Sequence, residues 1–189
     1  MTEVDSLHMV LIQFGDVGVY ETAEDDLGGG LTLHEVIEVE FATVRAPLDE
    51  VTAWLVQNVR LRPGFKELVD RFRPLVVSSG FHELIEPVLE REGVALELRA
   101  NRLDARADGW QIRWSDESVC AVCGEPCKRA SVANGPFIYV GDGYSDRCVA
   151  LAAERVFARD GLAEYLRGRG IPYEPFDTLA EIAQRLEEQ

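Results

Sequence analysis

Short apolar runs alternate with helical segments over the second part of the chain, and this alternation limits the fold more than any other feature. The runs "PLVVSSG" (74–80), "PFIYVGD" (136–142) and "RVFARDG" (155–161) are continuous, brief and bounded by proline or glycine, as buried strands are. Helical patterns follow them in "FHELIEPVLEREG", "SDRCVALAAE", "LAEYLRGRG" and "LAEIAQRLEEQ". Strands buried on both faces, each followed by a helix, predict an α/β fold with a Rossmann-like parallel sheet covered by helices.

The residues before this region are expected to be mainly helical. Apolar side chains recur at three- and four-residue steps from Val4 to Phe14, and Thr2 or Asp5 can cap the helix they predict. Further helices are predicted in "TLHEVIEVEFATV", "LDEVTAWLVQNV" and "RPGFKELVDRFR", the last with Pro63 in its first turn. The alternating segment 94–114 predicts a β-hairpin that turns at Asp108-Gly109.

Composition excludes several classes of function. The net charge of −15 argues against a nucleic-acid partner, because binding phosphate backbones needs a basic surface. No apolar run approaches the length of a membrane span, and no signal pattern is present, so we expect a cytoplasmic protein that does not enter membranes. A small phosphorylated molecule stays compatible with the acidic charge, since one cation or metal can dominate a local site.

Two carboxylates stand where the strand of "GPFIYVGDGYSDR" (135–147) ends. Gly141 and Gly143 are expected to let the backbone turn there, so that Asp142 projects from the sheet edge and Asp146 lies in the first turn of a helix. Two charged carboxylates so close favour a cation, and oxygen ligands suit Mg²⁺. Helix capping by Asp142, with Asp146 adding to the helix dipole, explains this segment alone equally well.

Two other features favour the magnesium interpretation. Ser79 and Gly80 end a strand and begin a helix, where a hydroxyl and backbone N–H groups can meet an anion. Lys128 begins the helix-like "KRASVANG" (128–135), where its ammonium can neutralise phosphate. An ordinary helix cap and a solvated lysine explain each feature singly; the three together are more specific.

The segments "LVVSSGF", "CKRASV" and "YVGDGYSDR" resemble the second, third and fourth motifs of haloacid dehalogenase superfamily phosphatases. "RPGFKELV" and the hairpin "ANRLDARADGW" resemble the phosphoserine phosphatase-like branch. The cysteine-rich loop and the tail "VFARDGLAEYLRGRGIPYEPF" are similar to the 2-hydroxy-3-keto-5-methylthiopentenyl-1-phosphate phosphatases of methionine salvage. The resemblance covers nearly the whole chain.

The resemblance implies Mg²⁺-dependent hydrolysis of a small phosphorylated metabolite through an aspartyl-phosphate. Ser79, Gly80, Lys128 and Gly143 would bind the phosphoryl group, with Ser79 and Lys128 also acting in catalysis. Asp142 would ligate Mg²⁺, and Asp146 would ligate it or support its waters. The resemblance also implies a helical cap at residues 1–60 and a core at 61–189, into which 94–127 inserts a hairpin and a cysteine-containing loop.

The chain departs from the family at the first motif. Its members begin with a strand that ends in Asp-x-Asp and provides the nucleophile, and no Asp-x-Asp occurs here. "IQFGDV" would place Gln13 at that position, but the helical spacing from Val4 to Phe14 argues against a strand there. We expect that the sequence is a start-site or expression truncation whose missing strand lies between those of Ser79 and Asp142. A non-catalytic remnant that binds phosphate or a partner protein, and a phosphotransferase, are the alternatives.

Four cysteines indicate reduced thiols rather than a disulfide framework. Cys120, Cys123 and Cys127 have a C-x2-C-x3-C spacing that can offer three thiolates to structural zinc. A fourth ligand is not evident, because Cys148 lies far along the sequence. A reduced loop without metal is the alternative.

Overall fold

A computed structural model describes residues 1–132 and 135–188. Parts of two predicted helices, in 128–135 and 179–189, lie outside the described residues. The described helices are α1 Ser6–Phe14, α2 Val17–Asp26, α3 Leu33–Phe41, α4 Leu48–Asn58, α5 Phe65–Phe72, α6 His82–Arg91, α7 Arg147–Ala150, α8 Asp160–Gly168 and α9 Leu179–Glu187. The described strands are β1 Leu75–Phe81, β2 Glu97–Asp104, β3 Gln111–Arg113, β4 Ile138–Gly141, β5 Arg155–Ala158 and β6 Glu174–Pro175.

The chain divides into two compact units. The first contains Met1–Leu61 and Ser78–Ser115, and the second contains Arg62–Val77 and Asp116–Gln189. This division does not decide which residues cap a site, so the assignment of 1–60 to a cap and 61–189 to a core stays a prediction. No helix in the described part of the chain is long and apolar enough to cross a membrane.

Helix starts in the first unit follow the predicted capping chemistry. Asp5, rather than Thr2, caps α1, and its carboxylate accepts a 2.7 Å hydrogen bond from the Leu7 N–H. Thr32 and Glu35 form a reciprocal capping box at the start of α3. Gln13 lies inside α1 and not at a strand end, as the helical spacing of Leu7, Leu11 and Phe14 predicts.

The β-hairpin closes the core of the first unit. β2 and β3 pair antiparallel with Leu103 opposite Ile112, which confirms the predicted hairpin. Trp110, next to the turn, is buried among Phe41 and other apolar residues, and its indole N–H donates to the Ala46 carbonyl at 3.0 Å. Burial of this ring together with its polar atom anchors the hairpin on the helices.

The predicted parallel sheet is present in the second unit as β4-β5-β6. Tyr139 pairs with Val156, and Phe157 with Glu174, in parallel register. β1 belongs instead to a sheet of order β1-β2-β3, so each of β1 and β4 is an edge strand of its described sheet. The α/β class is confirmed, whereas a strand joining these two edges stays a prediction.

Two predicted helix boundaries in the second unit were wrong. Pro63 lies before α5 rather than in its first turn, because Gly64, at a φ of +85°, is the N-cap. The helix predicted over 145–154 is a 3₁₀ turn, Tyr144–Asp146, followed by the short α7. Ala152 and Ala153 donate to carbonyls only three residues back, so the helix tightens and ends there.

A position can require glycine because its φ is positive or because no Cβ fits, and Gly64 and Gly170 distinguish these two reasons. Both have positive φ, but a Cβ at Gly64 would lie 2.0 Å from the Ala180 backbone nitrogen, whereas one at Gly170 meets nothing within 4 Å. We expect Gly170→Ala to lower the free energy of unfolding by about 1 kcal/mol through its backbone conformation. Gly64→Ala should cost about 2 kcal/mol more, because α5 and α9 must separate. Urea denaturation measures both, and equal losses would contradict the close-approach explanation.

Candidate active site

A buried carboxylate, that of Asp146, organises the end of strand β4. Asp146 is 4% exposed. Its Oδ1 accepts from the Lys128 ammonium at 2.6 Å and from the Tyr139 hydroxyl at 2.7 Å. Its Oδ2 accepts from the backbone N–H groups of Asp142 at 2.8 Å and Gly143 at 3.0 Å. A carboxylate has about four acceptor sites, and these donors use them all.

The local backbone explains why this carboxylate reaches the strand end. The 3₁₀ turn Tyr144–Asp146 directs Asp146 back over the last residue of β4. A Cβ at Gly141 would lie 2.7 Å from the Asp146 carboxylate, so this position must be glycine for the side chain to fit. Gly143 is extended, with a φ of −128°, and neither Gly141 nor Gly143 has a positive φ.

The charge of Asp146 is balanced inside the protein. Burial raises its pKa, but the Lys128 charge and the hydrogen bonds from Lys128, Gly143 and Tyr139 outweigh burial and hold the pKa at about 2. Burial, together with the neighbouring Asp146 charge, raises the pKa of Tyr139 well above its usual range, so this phenol stays a hydrogen-bond donor. The argument that the two aspartates need a cation between them therefore does not hold for Asp146.

Asp142 differs from Asp146 in its surroundings. It follows β4 directly and is half-buried. Its backbone N–H is bonded to Asp146 and its carbonyl accepts from Leu162 at 3.0 Å, but its carboxylate has no hydrogen bond or ion pair within the described residues. An oriented oxygen donor without a partner fits Mg²⁺, which takes one or two carboxylates and keeps several waters. The saturated oxygens of Asp146 fit direct ligation less well, and its role as a metal ligand stays a prediction.

Ser79 and Gly80 lie in the first unit and within β1, which continues to Phe81. Phe81 is the N-cap of α6, so neither serine of "SSG" caps this helix. The Gly80 N–H donates to the Ser78 hydroxyl at 3.0 Å and is not available to an anion in this arrangement. The Ser79 hydroxyl has no hydrogen bond within the described residues, which leaves it available to a substrate.

Gly143 is predicted to bind phosphate, and its backbone N–H donates to Asp146 instead. No atom lies within 4 Å of where its Cβ would be. Gly143 would therefore contribute to phosphate binding by leaving space for the phosphate next to the backbone, and not by donating its N–H.

The cysteines form a cluster that the sequence analysis recognised only in part. Cys120, Cys123 and Cys127 lie together as predicted, but Cys148, judged too distant, joins them from α7. Within the described residues their ligand atoms all lie within 4.8 Å of one another. The chain returns through β4 and α7, which brings Cys148 to the other three cysteines. Sequence spacing alone does not reveal this approach.

Sequence reasoning also missed two hydrogen-bonding residues. Tyr139 was read only as part of an apolar strand, although its hydroxyl binds Asp146. Asn101 is buried in β2; it donates to the Ser79 carbonyl at 3.0 Å and accepts from the Ser115 N–H at 3.1 Å. A polar side chain inside an apolar or alternating strand was the available signal for both.

Sequence comparison places this chain beside named phosphatases. No family model matches it. It is 26% identical over 201 residues to the 2-hydroxy-3-keto-5-methylthiopentenyl-1-phosphate phosphatase of Geobacillus thermodenitrificans, covering 99% of this chain and 91% of that protein. The protein of the same name from Geobacillus kaustophilus is 27% identical with the same coverage.

Solved structures share the fold. A phosphoserine phosphatase from T. onnurineus superposes with a TM-score of 0.67 at 21% identity, covering 98% of this chain and 88% of that one. A phosphoserine phosphatase described as a phospho-aspartyl intermediate analogue gives a TM-score of 0.69 at 16% identity, covering 97% and 92%. Relatives and fold confirm the resemblance to haloacid dehalogenase phosphatases of the phosphoserine phosphatase-like branch.

The two glycines beside Asp142 provide a test of the close packing of the Asp146 carboxylate against the backbone at the end of β4. We expect Gly141→Ala to lower the free energy of unfolding by about 2–3 kcal/mol, because its Cβ overlaps the Asp146 carboxylate. Gly143→Ala is the matched control and should change it by less than about 1 kcal/mol, because the position is open and its backbone extended. Urea denaturation measures the unfolding free energy of both variants. Similar losses would contradict the close packing of the Asp146 carboxylate against Gly141.

The depressed pKa of Asp146 predicts a contribution to stability that acid removes. The contribution is complete above the unfolded-state pKa of about 4 and is lost as the pH falls through the folded value of about 2. It should amount to about 2 kcal/mol. The unfolding free energies of the natural protein and of Asp146→Asn should become more similar as the pH is lowered from about 4 to about 2. A difference that does not change with pH would show that Asp146 is not held ionised.

Proposed function

We propose that this protein hydrolyses the phosphomonoester of a small phosphorylated metabolite, using Mg²⁺ and an aspartyl-phosphate intermediate. The observation that carries the proposal is the buried pair of Lys128 and Asp146 next to Asp142, whose carboxylate has no partner among residues 1–132 and 135–188. A helix cap would not need a buried lysine, and a solvated lysine would not be oriented by a saturated carboxylate. Phosphoryl transfer needs fixed charges of this kind, because its catalysis is mainly positioning and charge stabilisation.

Lys128 would hold the transferring phosphoryl group. Its side chain is 13% exposed and its ammonium has one described partner, Asp146, which leaves two donors for phosphate oxygens or the nucleophile. Asp146 fixes the ammonium in place and is itself fixed by Tyr139 and the β4 turn. The pair therefore presents a positive charge that does not need to reorganise during the reaction.

Asp142 is the residue of this chain that would hold Mg²⁺, with Asp146 supporting the ion through the loop rather than through its own occupied oxygens. Bound Mg²⁺ would neutralise phosphate charge and orient the phosphoryl group. The Ser79 hydroxyl would donate a hydrogen bond to a phosphate oxygen, and Asn101 would orient the Ser79 backbone through its carbonyl.

The nucleophile needs a carboxylate at a strand end, and the 189 residues contain no Asp-x-Asp. The edge position of β4 in its described sheet supports a further strand beside it as the carrier of this carboxylate. The absence of the motif from this sequence equally supports a second candidate, a non-catalytic protein that binds phosphate or a partner protein with the residues it retains.

The sequence relatives support a substrate class for this proposal. They are named as phosphatases of 2-hydroxy-3-keto-5-methylthiopentenyl-1-phosphate. We propose a small phosphoester of this kind for the present protein. A panel containing that compound, phosphoserine and other small phosphoesters would identify the preferred one by kcat/KM.

Hydrolysis of p-nitrophenyl phosphate with Mg²⁺ tests the proposal on this chain and on a version lengthened by a strand that ends in Asp-x-Asp. We expect activity in the lengthened version alone, and Asp142→Asn in that background should lower kcat/KM about 100-fold or more. Glu164→Gln, which removes an exposed carboxylate of α8, is the control and should leave it unchanged. Activity in neither protein would favour the binding function, and activity of the 189-residue chain would contradict our account of the nucleophile.

A further inference from the structure

We propose that Cys120, Cys123, Cys127 and Cys148 bind one structural zinc ion as four thiolates, and that this ion fastens the loop before Lys128 to the helix after Asp146. The inference does not depend on phosphatase activity. It rests on the arrangement of the four sulfur atoms, on the backbone around them and on their positions next to the ion pair.

The four sulfur atoms lie close enough together to share one tetrahedral zinc ion. All lie within 4.8 Å of one another, and those of Cys120 and Cys148 are 3.8 Å apart. Zinc–sulfur bonds of about 2.3 Å at tetrahedral angles separate neighbouring sulfurs by about 3.8 Å. The four thiols are free of disulfides. Four protein ligands close the coordination shell, which is typical of structural rather than catalytic zinc.

The backbone of the loop is shaped for thiolate ligands. Residues 120–124 read Cys-Ala-Val-Cys-Gly, and Gly124, at a φ of +79°, turns the chain so that its N–H donates to the Cys120 carbonyl at 2.9 Å. The turn directs the Val122 N–H at the Cys120 sulfur, 3.4 Å away. This backbone donor orients the Cys120 sulfur, as outer hydrogen bonds do for metal ligands.

Charge near the cluster also favours a metal thiolate. Binding would break four S–H bonds, form four Zn–S bonds and release four protons, leaving a complex with a charge of −2. The Arg129 guanidinium donates to the Cys148 carbonyl at 3.4 Å, which places a positive charge beside that complex. No electron is transferred, so the step needs no oxidant or reductant.

The ligand positions explain what the ion would do. Cys127 directly precedes Lys128, and Cys148 lies two residues after Asp146. One zinc ion would thus join the two segments that supply the buried pair. Loss of zinc should loosen the contact between Lys128 and Asp146 and the turn that follows β4.

Metal and thiol analysis of the full chain, purified under reducing conditions, tests the site directly. We expect one zinc per chain and an X-ray absorption first shell of four sulfurs at about 2.3 Å. All four cysteines of the chain should resist a thiol reagent until a chelator is added. No zinc bound from an equimolar solution, iron in its place, or a freely reacting Cys148 would overturn the proposal.

Two neighbouring substitutions separate ligation from loop stability. Cys123→Ser removes an exposed ligand and should weaken zinc binding by at least about 100-fold, since changes outside the ligands alone cost 10–100-fold. Val122→Ser alters an equally exposed residue of the same loop and should leave zinc affinity unchanged. Competition with a chromophoric chelator measures both, and equal affinities would contradict ligation by Cys123.

Hydrogen exchange tests the fastening role without any assay of catalysis. The amides of Asp142 and Gly143 donate to Asp146, and on zinc removal they should exchange at least about 10-fold faster. The Ile182 amide, in α9, serves as the reference and should not change. Unchanged exchange at all three amides would contradict the fastening role. Zinc binding by a protein without phosphatase activity would contradict the proposed function but not the zinc site.

Discussion

The buried carboxylate of Asp146 is the interaction on which the candidate site depends. An ionised group that is 4% exposed is stable only if donors replace the water it has lost. Lys128 and Tyr139 satisfy one oxygen, and the backbone after β4 satisfies the other. These contacts determine where the ammonium lies and how the strand ends, and therefore where the carboxylate of Asp142 is presented.

Much of the fold could be predicted from apolar periodicity. The alternating segment 94–114 predicted the hairpin, and the continuous runs predicted the strands of the second unit. Helix α2 was not predicted, because its sequence "VGVYETAEDD" buries only Ala23 and so has no apolar stripe. The helix after Asp146 was predicted too long, because periodicity does not register the switch to three-residue hydrogen bonds near Ala152.

The site was predictable to the extent that its residues stand at strand ends. Asp142 and Lys128 were found from their positions beside strands and from the family resemblance. The close approach of Asp146 to Gly141 was not predicted, because a glycine needed for close approach looks the same in sequence as one needed for a turn. The contribution of Cys148 was missed, because only the folded chain shows that α7 returns to the cysteine loop.

The described ion pair and the cysteine cluster come from one contiguous stretch, residues 120–148. Its contacts close loops of about 30 residues or fewer, so they cost somewhat less chain entropy than contacts across the whole sequence would. The stretch is still tied to the residues that follow it, because β4 pairs with β5 and the Asp142 carbonyl accepts from Leu162. A substitution in β5 or at the start of α8 can therefore alter the lysine–aspartate arrangement without touching either of its residues.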